Sequence, residues 1–174
     1  RLGDMFYDQN DFVAALAERE QAYVVQESIS VLDPENLPRQ ADLALSLNKI
    51  GDVKRAMGDL SGAREYFQAA LDRRQAILAA EPAVARYREG AASSLTALAE
   101  MDLSEGNVEV AEARIAEAVS HRVASAGAAP GDAFAVRTLS IAQNIHVQSL
   151  VALGRNDEAL TVAWADAPTN SYND

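Results

Sequence analysis

The chain has 174 residues, enough for a domain with a real core, and carries 15 basic against 26 acidic side chains, a net charge of −11. That charge argues against nucleic acid and anionic membranes as partners and electrostatically favours a basic peptide or protein. Because cysteine is absent, disulfides, thiolate nucleophiles and cysteine metal sites are excluded.

Apolar residues recur at three- and four-residue spacing along most of the chain, for example in AREYFQAALDRRQAIL and EVAEARIAEAVSHRVA. This spacing is typical of amphipathic helices rather than strands. The predicted fold class is therefore all-α. In chain order the pattern predicts a short helix at 1–9 and longer helices near 11–32, 37–57, 60–80, 85–105, 108–126, 133–153 and 156–166.

Equivalent residues recur every 48 positions without an insertion, which predicts a repeat. The recurring positions hold a proline, a glycine and an alanine, each with its own structural role. Proline ends a helix, glycine or asparagine in a left-handed conformation stops one, and alanine lets two helices approach closely. These positions are Pro34, Pro82 and Pro130; Asn10, Gly58, Gly106 and Gly154; and Ala15, Ala63, Ala111 and Ala159.

Side chains that can cap helices follow these breaks. Asn36 and Asp132 come after the proline positions, and Asp11, Asp59 and Asn107 come after the glycine positions. Each 48-residue unit is therefore predicted to contain two helices of about 20 residues, each roughly 30 Å long, joined by a tight turn.

The order of residues in each unit resembles the tetratricopeptide repeat (TPR). The usual repeat has about 34 residues, so this unit would be longer by about four helical turns. In the second unit the matching residues are Leu47, Ile50, Gly51, Lys54, Gly58, Leu60, Ala63, Phe67 and Ala70. In the third they are Leu95, Leu98, Ala99, Asp102, Gly106, Val108, Ala111, Ile115 and Ala118.

The resemblance implies a right-handed superhelical solenoid of antiparallel helix pairs. The repeat domain would span 1–166, divided into a truncated unit at about 1–34, two full units at 35–82 and 83–130, and a truncated unit at 131–166. A polar tail would follow at 167–174. Because the chain begins at Arg1 inside a helical pattern, we also expect it to be part of a longer protein.

The resemblance also implies a concave groove lined by the first helix of each unit. The candidate partner-binding residues are Asp4, Tyr7, Asn48, Asp52, Arg55, Thr96, Glu100, Leu103, Asn144 and Gln148. Some TPR proteins hold a terminal carboxylate in this groove with Lys and Asn, but the matching positions here carry Asp4, Asp52, Glu100 and Gln148. That clamp is therefore not expected. We expect Asp52 and Glu100 to be exposed.

No catalytic, cofactor or metal site is predicted. His146 occupies a core position and is expected to be packed and hydrogen-bonded, whereas His121 is expected on the surface near Arg122. Metal-binding histidine spacing and a phosphate-binding glycine loop are absent. The charged run Asp72–Arg73–Arg74 is expected to form a solvated helix face.

The function expected from these features is a non-catalytic scaffold that binds a protein or peptide, as the interaction module of a larger protein. The alternative is a ligand-responsive sensor that controls an attached effector domain. An enzyme with a site between helices is disfavoured, because titratable groups do not converge. We expect neither nucleic acid nor membrane as a partner. We expect a cytoplasmic location, although a chain without cysteine is also compatible with a periplasm.

Overall fold

A computed structural model describes residues 2–9, 11–128 and 131–164 of the chain. These residues form eight α-helices and no strand, so the all-α prediction is confirmed. The observed helix ends lie within two residues of the predicted ones, apart from the predicted ends at 1 and 166, which lie outside the described residues. The helices are α1 (Leu2–Asp8), α2 (Phe12–Ser30), α3 (Leu37–Ala56), α4 (Leu60–Ala80), α5 (Ala85–Ser104), α6 (Val108–Ala128), α7 (Ala133–Ala152) and α8 (Asn156–Trp164).

The helix bounds recur at the 48-residue interval of the sequence. Helices α3, α5 and α7 begin at residues 37, 85 and 133, and α4, α6 and α8 begin at 60, 108 and 156. The turn before each of the latter three contains Gly58, Gly106 or Gly154, with φ of 83°, 82° and 73°. Residues other than glycine adopt this left-handed backbone conformation only at a cost in free energy, which explains why glycine recurs at this position.

Helix capping follows the predicted positions. The Asp11 carboxylate accepts a hydrogen bond from the Ala14 amide at 3.1 Å, and Asp59 accepts one from Gly62 at 2.9 Å. Before α3 and α7, Asn36 and Asp132 likewise accept hydrogen bonds from backbone amides of the first helical turn. These four predicted caps are confirmed. Pro130 and Asn10 lie outside the described residues.

The chain divides into two packed parts that differ from the 48-residue repeats. We call them unit 1 (Arg1–Ser94) and unit 2 (Leu95–Asp174), and the boundary between them lies inside α5. In unit 1, α1 packs on α2, α2 on α3, and α3 on α4. The core of unit 1 includes the fully buried side chains of Leu43, Ile50 and Phe67. Ala63 is also fully buried, as predicted, so a larger side chain there would meet packed neighbours.

In unit 2, α6 packs on α7 and α7 packs on α8. Leu98, Ile115 and Leu150 are fully buried there, and Ala111 is as buried as Ala63, as predicted. Since Ala63 and Ala111 lie 48 residues apart, the small side chain at this position serves tight packing in both units.

Candidate functional site

Asp4, the first candidate groove residue, is held by two cations of unit 1. Its Oδ1 accepts a hydrogen bond from Lys49 Nζ at 2.9 Å and another from Arg19 Nη2 at 3.2 Å. The hydrogen bond from Lys49 lowers the pKa of Asp4 below its usual value, and the charge of Arg19 acts in the same direction. All three side chains line a cleft of about 320 Å³. The carboxylate that we expected to offer to a partner is therefore already paired.

Asp52 and Arg55, two further candidates on α3, pair with each other. Arg55 Nη2 lies 3.2 Å from Asp52 Oδ1, and the guanidinium also stacks over the Phe67 ring at 5.6 Å. Both side chains keep about two fifths of their surface exposed, Asp52 at 41% and Arg55 at 37%. Asp52, which we expected to be exposed, is thus partly exposed, and a partner can still reach it.

Tyr7 is packed by its own neighbours in unit 1. Its ring meets the Phe12 ring edge-on, with centroids 5.4 Å apart, and Arg19 lies 5.3 Å from its centroid. The side chain is half-buried.

Asn48 and Thr96, predicted to line the groove, are each only 8% exposed. Asn48 Oδ1 accepts a hydrogen bond from the Ser94 hydroxyl at 2.9 Å. Both residues therefore belong to the interior in this structure rather than to an accessible surface. The physical reason for Asn48 is that its carboxamide satisfies a buried hydroxyl on α5.

The remaining candidates lie in unit 2 with graded exposure. Glu100 and Leu103 on α5 are half-buried, so Glu100, which we expected to be exposed, is likewise only partly exposed. Asn144 and Gln148 on α7 are exposed and lie one helical turn apart. Of these four, the two α7 amides are the most accessible to a partner.

Arg74 departs most from the sequence-based expectation. The run Asp72–Arg73–Arg74 was predicted to be a solvated face, but Arg74 is only 6% exposed. Its Nη1 donates to the carbonyl oxygen of Gly90 and, at 2.9 Å, to the hydroxyl of Ser94. The expectation fails for Arg74, because α4 turns this position toward α5, whereas Asp72 is exposed.

A cleft of about 310 Å³ opens beside Arg74 in unit 1. Three helices line it, with mostly apolar walls and three charged side chains. The lining residues are Pro38, Ala41, Asp42 and Leu45 of α3, Arg74 and Ile77 of α4, and Arg86, Tyr87 and Gly90 of α5. Leu45, with 43% of its surface exposed, forms an open part of the wall.

The sequence contained a signal for Arg74 that the repeat analysis did not use. The 48-residue interval that relates other core positions also relates Gln26, Arg74 and Arg122, and it relates Ser46 to Ser94. Ser46 donates to Gln26 at 2.6 Å, just as Arg74 contacts Ser94 one interval later. Polar residues that recur at the same 48-residue spacing as the core residues indicate a buried position that forms hydrogen bonds.

The two histidines differ in their surroundings. The His146 side chain is 12% exposed, and its Nε2 lies 3.3 Å from Glu112 Oε1, so the residue is packed and hydrogen-bonded as predicted. The same carboxylate oxygen lies 3.3 Å from Arg155 Nη1. His121 is half-buried and lies 3.7 Å from Glu117, while its neighbour Arg122 is buried, which corrects the expected surface location beside Arg122.

No group of three or more His, Cys, Asp or Glu side chains is arranged to hold a metal ion among the residues that the structure describes. Within residues 2–9, 11–128 and 131–164, none of the helices combines the length and apolar character needed to cross a membrane.

No protein-family model matches the chain, and a search of curated proteins finds no match. The resemblance to tetratricopeptide repeats therefore depends on the residue pattern alone.

Proposed function

We propose that the chain is a non-catalytic helical-repeat module of the tetratricopeptide type, a right-handed solenoid that binds a protein or peptide. The observation that carries the proposal is the recurrence of helix bounds and left-handed glycine turns at one 48-residue interval. Helix pairs repeated in this way stack on one another and offer an extended surface, which is how repeat arrays bind their partners.

Polar side chains at matched positions of the first helices support a partner surface. Asp52 on α3, Glu100 on α5 and Gln148 on α7 follow at the same interval, and each retains exposed surface. A lysine or arginine of a partner could replace Arg55 at the Asp52 carboxylate, in a chain whose net charge is −11. The partner that we propose is therefore a segment carrying basic side chains.

The test uses the full chain to select from a library of random displayed peptides. An enriched peptide is then titrated against the wild type and the double variant Asp52→Lys with Glu100→Lys, each at low and high salt. We expect the double variant to lose binding, and wild-type binding to weaken with salt, because exposed charges are screened over about 8 Å at physiological ionic strength.

The matched control changes the same number of charges elsewhere. Glu65 on α4 and Glu109 on α6 are exposed, so Glu65→Lys with Glu109→Lys alters the net charge equally without touching the proposed surface. Thermal unfolding confirms that both double variants are folded. Equal affinities for the wild type and both double variants at either salt concentration would contradict the proposed surface.

A further inference from the structure

Arg74 is a buried cation whose protein partners are neutral. Its Nη1 donates to the Gly90 carbonyl and the Ser94 hydroxyl, and Ser94 passes a hydrogen bond on to Asn48. Among the described residues, no carboxylate lies within ion-pair distance of its guanidinium. Burial lowers the pKa of Arg74 to about 10, so the group is still charged at neutral pH.

Several other arginines of the chain are paired with carboxylates. Arg19 contacts Asp4, Arg114 contacts Asp102, and Arg155 contacts Glu158. Burying a charge without an opposite charge is unfavourable. An arginine that has only neutral partners therefore lacks the anion that would offset the cost of its burial. Nε and Nη2 of Arg74 donate no hydrogen bond to a described residue, and Arg74 is one of the side chains that line the cleft. These two N–H groups are therefore the donors that remain for a ligand.

The cleft beside Arg74 combines apolar walls with a surplus of positive charge. Ile77 and Leu45 supply aliphatic surface, while Arg86 adds a second cation opposed by the single carboxylate of Asp42. The Arg86 guanidinium is held near the cleft by donating to the Tyr87 hydroxyl at 2.7 Å. A positive site in a chain with a net charge of −11 favours an anion, and the apolar walls favour an organic one.

We propose that this cleft binds an apolar carboxylic acid, with the carboxylate on the free Nε–H and Nη2–H donors of Arg74 and the apolar group against Leu45 and Ile77. The side-on edge of a guanidinium matches the two oxygens of a carboxylate. Such a carboxylate belongs either to a free acid or to the C-terminal residue of a peptide. The proposal involves other side chains than Asp52 and Glu100, so the two binding tests succeed or fail independently.

The experiment follows the Arg74 Nε–H and the Leu45 and Gly90 amide resonances of the isotope-labelled full chain by NMR. The probes are hexanoate, acetyl-Gly-Gly-Leu with a free carboxylate, the same peptide as its C-terminal amide, and inorganic phosphate. We expect saturable shifts with the two carboxylates and at least about tenfold weaker binding of the amide. Tighter binding of hexanoate indicates a free acid as the ligand, and tighter binding of the peptide acid indicates a chain terminus.

Variants separate the role of Arg74 from that of the fold. Arg74→Met keeps an unbranched side chain and should weaken carboxylate binding by about tenfold or more, whereas Arg122→Met, the matching change in unit 2, should leave it unaltered. Thermal unfolding checks that each variant is folded. Arg86→Gln, at the exposed rim, provides a second variant that should weaken binding less.

Four results would overturn the proposal. They are equal binding of acid and amide, undiminished binding to Arg74→Met, binding of phosphate alone, and no saturable shift with any probe at millimolar concentration.

Discussion

The two units make the same arginine contact in different surroundings. In unit 1, Arg74 of α4 donates to the Gly90 carbonyl of α5, and in unit 2, Arg122 of α6 donates to the Thr138 carbonyl of α7 at 2.9 Å. Each donor and each acceptor is related to its counterpart by 48 residues. Repetition in the sequence has therefore preserved a tertiary contact as well as helix bounds.

The neighbouring position distinguishes the two contacts. Arg74 also donates to Ser94, whereas the residue 48 positions after Ser94 is the buried Ala142, which offers no side-chain acceptor. The recurring part of the contact needs only a backbone carbonyl, which every residue supplies. The added hydroxyl of Ser94 in unit 1 is not part of the repeated contact.

A second pair of matched positions contrasts more strongly. In unit 1, Lys54 lies over the Tyr66 ring at 5.7 Å and also pairs with the exposed Asp59. In unit 2 the same positions hold Asp102 and Arg114, an ion pair in which the Asp102 side chain is only 3% exposed. The same helix-to-helix contact is thus a cation–π contact in one unit and a buried ion pair in the other, which makes their energetics differ.

The largest expected effect comes from breaking the buried ion pair. Arg114→Leu removes the cation from the buried Asp102 carboxylate and should lower the free energy of unfolding by about 3 kcal/mol. Tyr66 is the residue of unit 1 that matches Arg114. Tyr66→Leu removes a cation–π contact and should lower the free energy of unfolding by about 1 kcal/mol. Equilibrium unfolding in urea measures both, and equal losses would mean that the two contacts are energetically equivalent.

Overpacking the alanine position tests what the units share. Ala111→Leu and Ala63→Leu each add three carbons at a site with no exposed surface, so each should lower the free energy of unfolding by about 1–3 kcal/mol. Thermal or urea unfolding of the two variants gives the comparison. If either variant unfolds like the wild type, alanine at that site is incidental to the helix packing.

A smaller effect is expected at Gly51, where unit 1 has an aromatic partner. A methyl group on Gly51 would lie 2.8 Å from the Phe67 ring, so Gly51→Ala should lower the free energy of unfolding by about 1 kcal/mol or more. Unit 2 has Ala99 and Ile115 at these positions. The double change Gly51→Ala with Phe67→Ile, which copies that combination, should recover part of the loss.

The control for Gly51 is another helical glycine without such a neighbour. A methyl group on Gly127 in α6 would meet nothing within 4 Å, so Gly127→Ala should be neutral or stabilising by up to about 1 kcal/mol, as alanine favours helix. A loss at Gly127 equal to that at Gly51 would contradict the steric explanation.

The smallest expected effect is a pH dependence of stability that arises at Asp59, the cap of α4. The hydrogen bond from Lys54, with that from the Gly62 amide, holds the pKa of Asp59 below its ordinary value of 3.8. A lowered folded-state pKa contributes stability above the unfolded value, and that contribution is lost as the pH falls through the folded value. The matching cap position in unit 2 is Asn107, which does not titrate.

Asp59→Asn removes this titration while keeping a side chain that can cap. The difference in thermal midpoint between the wild type and Asp59→Asn should be present above the ordinary pKa and should shrink as the pH falls below it. Thermal unfolding over a series of acidic pH values measures this. A difference that stays constant with pH would mean that the Asp59 carboxylate adds nothing beyond a neutral cap.

The sequence by itself determined the helices and their ends. Glycine at the left-handed turns and Asp or Asn at the caps act through the backbone of their own few residues, so local chemistry sufficed to predict these boundaries. Full burial of Ala63 and Ala111 also followed from the sequence, because a repeated small residue between apolar positions has few explanations other than close helix contact.

Only the tertiary structure decided which polar side chains are inside and which are paired. The sequence predicted Arg74 and Asn48 to lie on the surface, yet both are buried and form hydrogen bonds with Ser94. Asp4 pairs with Lys49, which lies 45 residues further along the chain. A long polar side chain can point to solvent or reach a distant partner from the same helix position. The choice depends on where the neighbouring helices place their carbonyls, hydroxyls and charges, and a residue pattern does not contain that information.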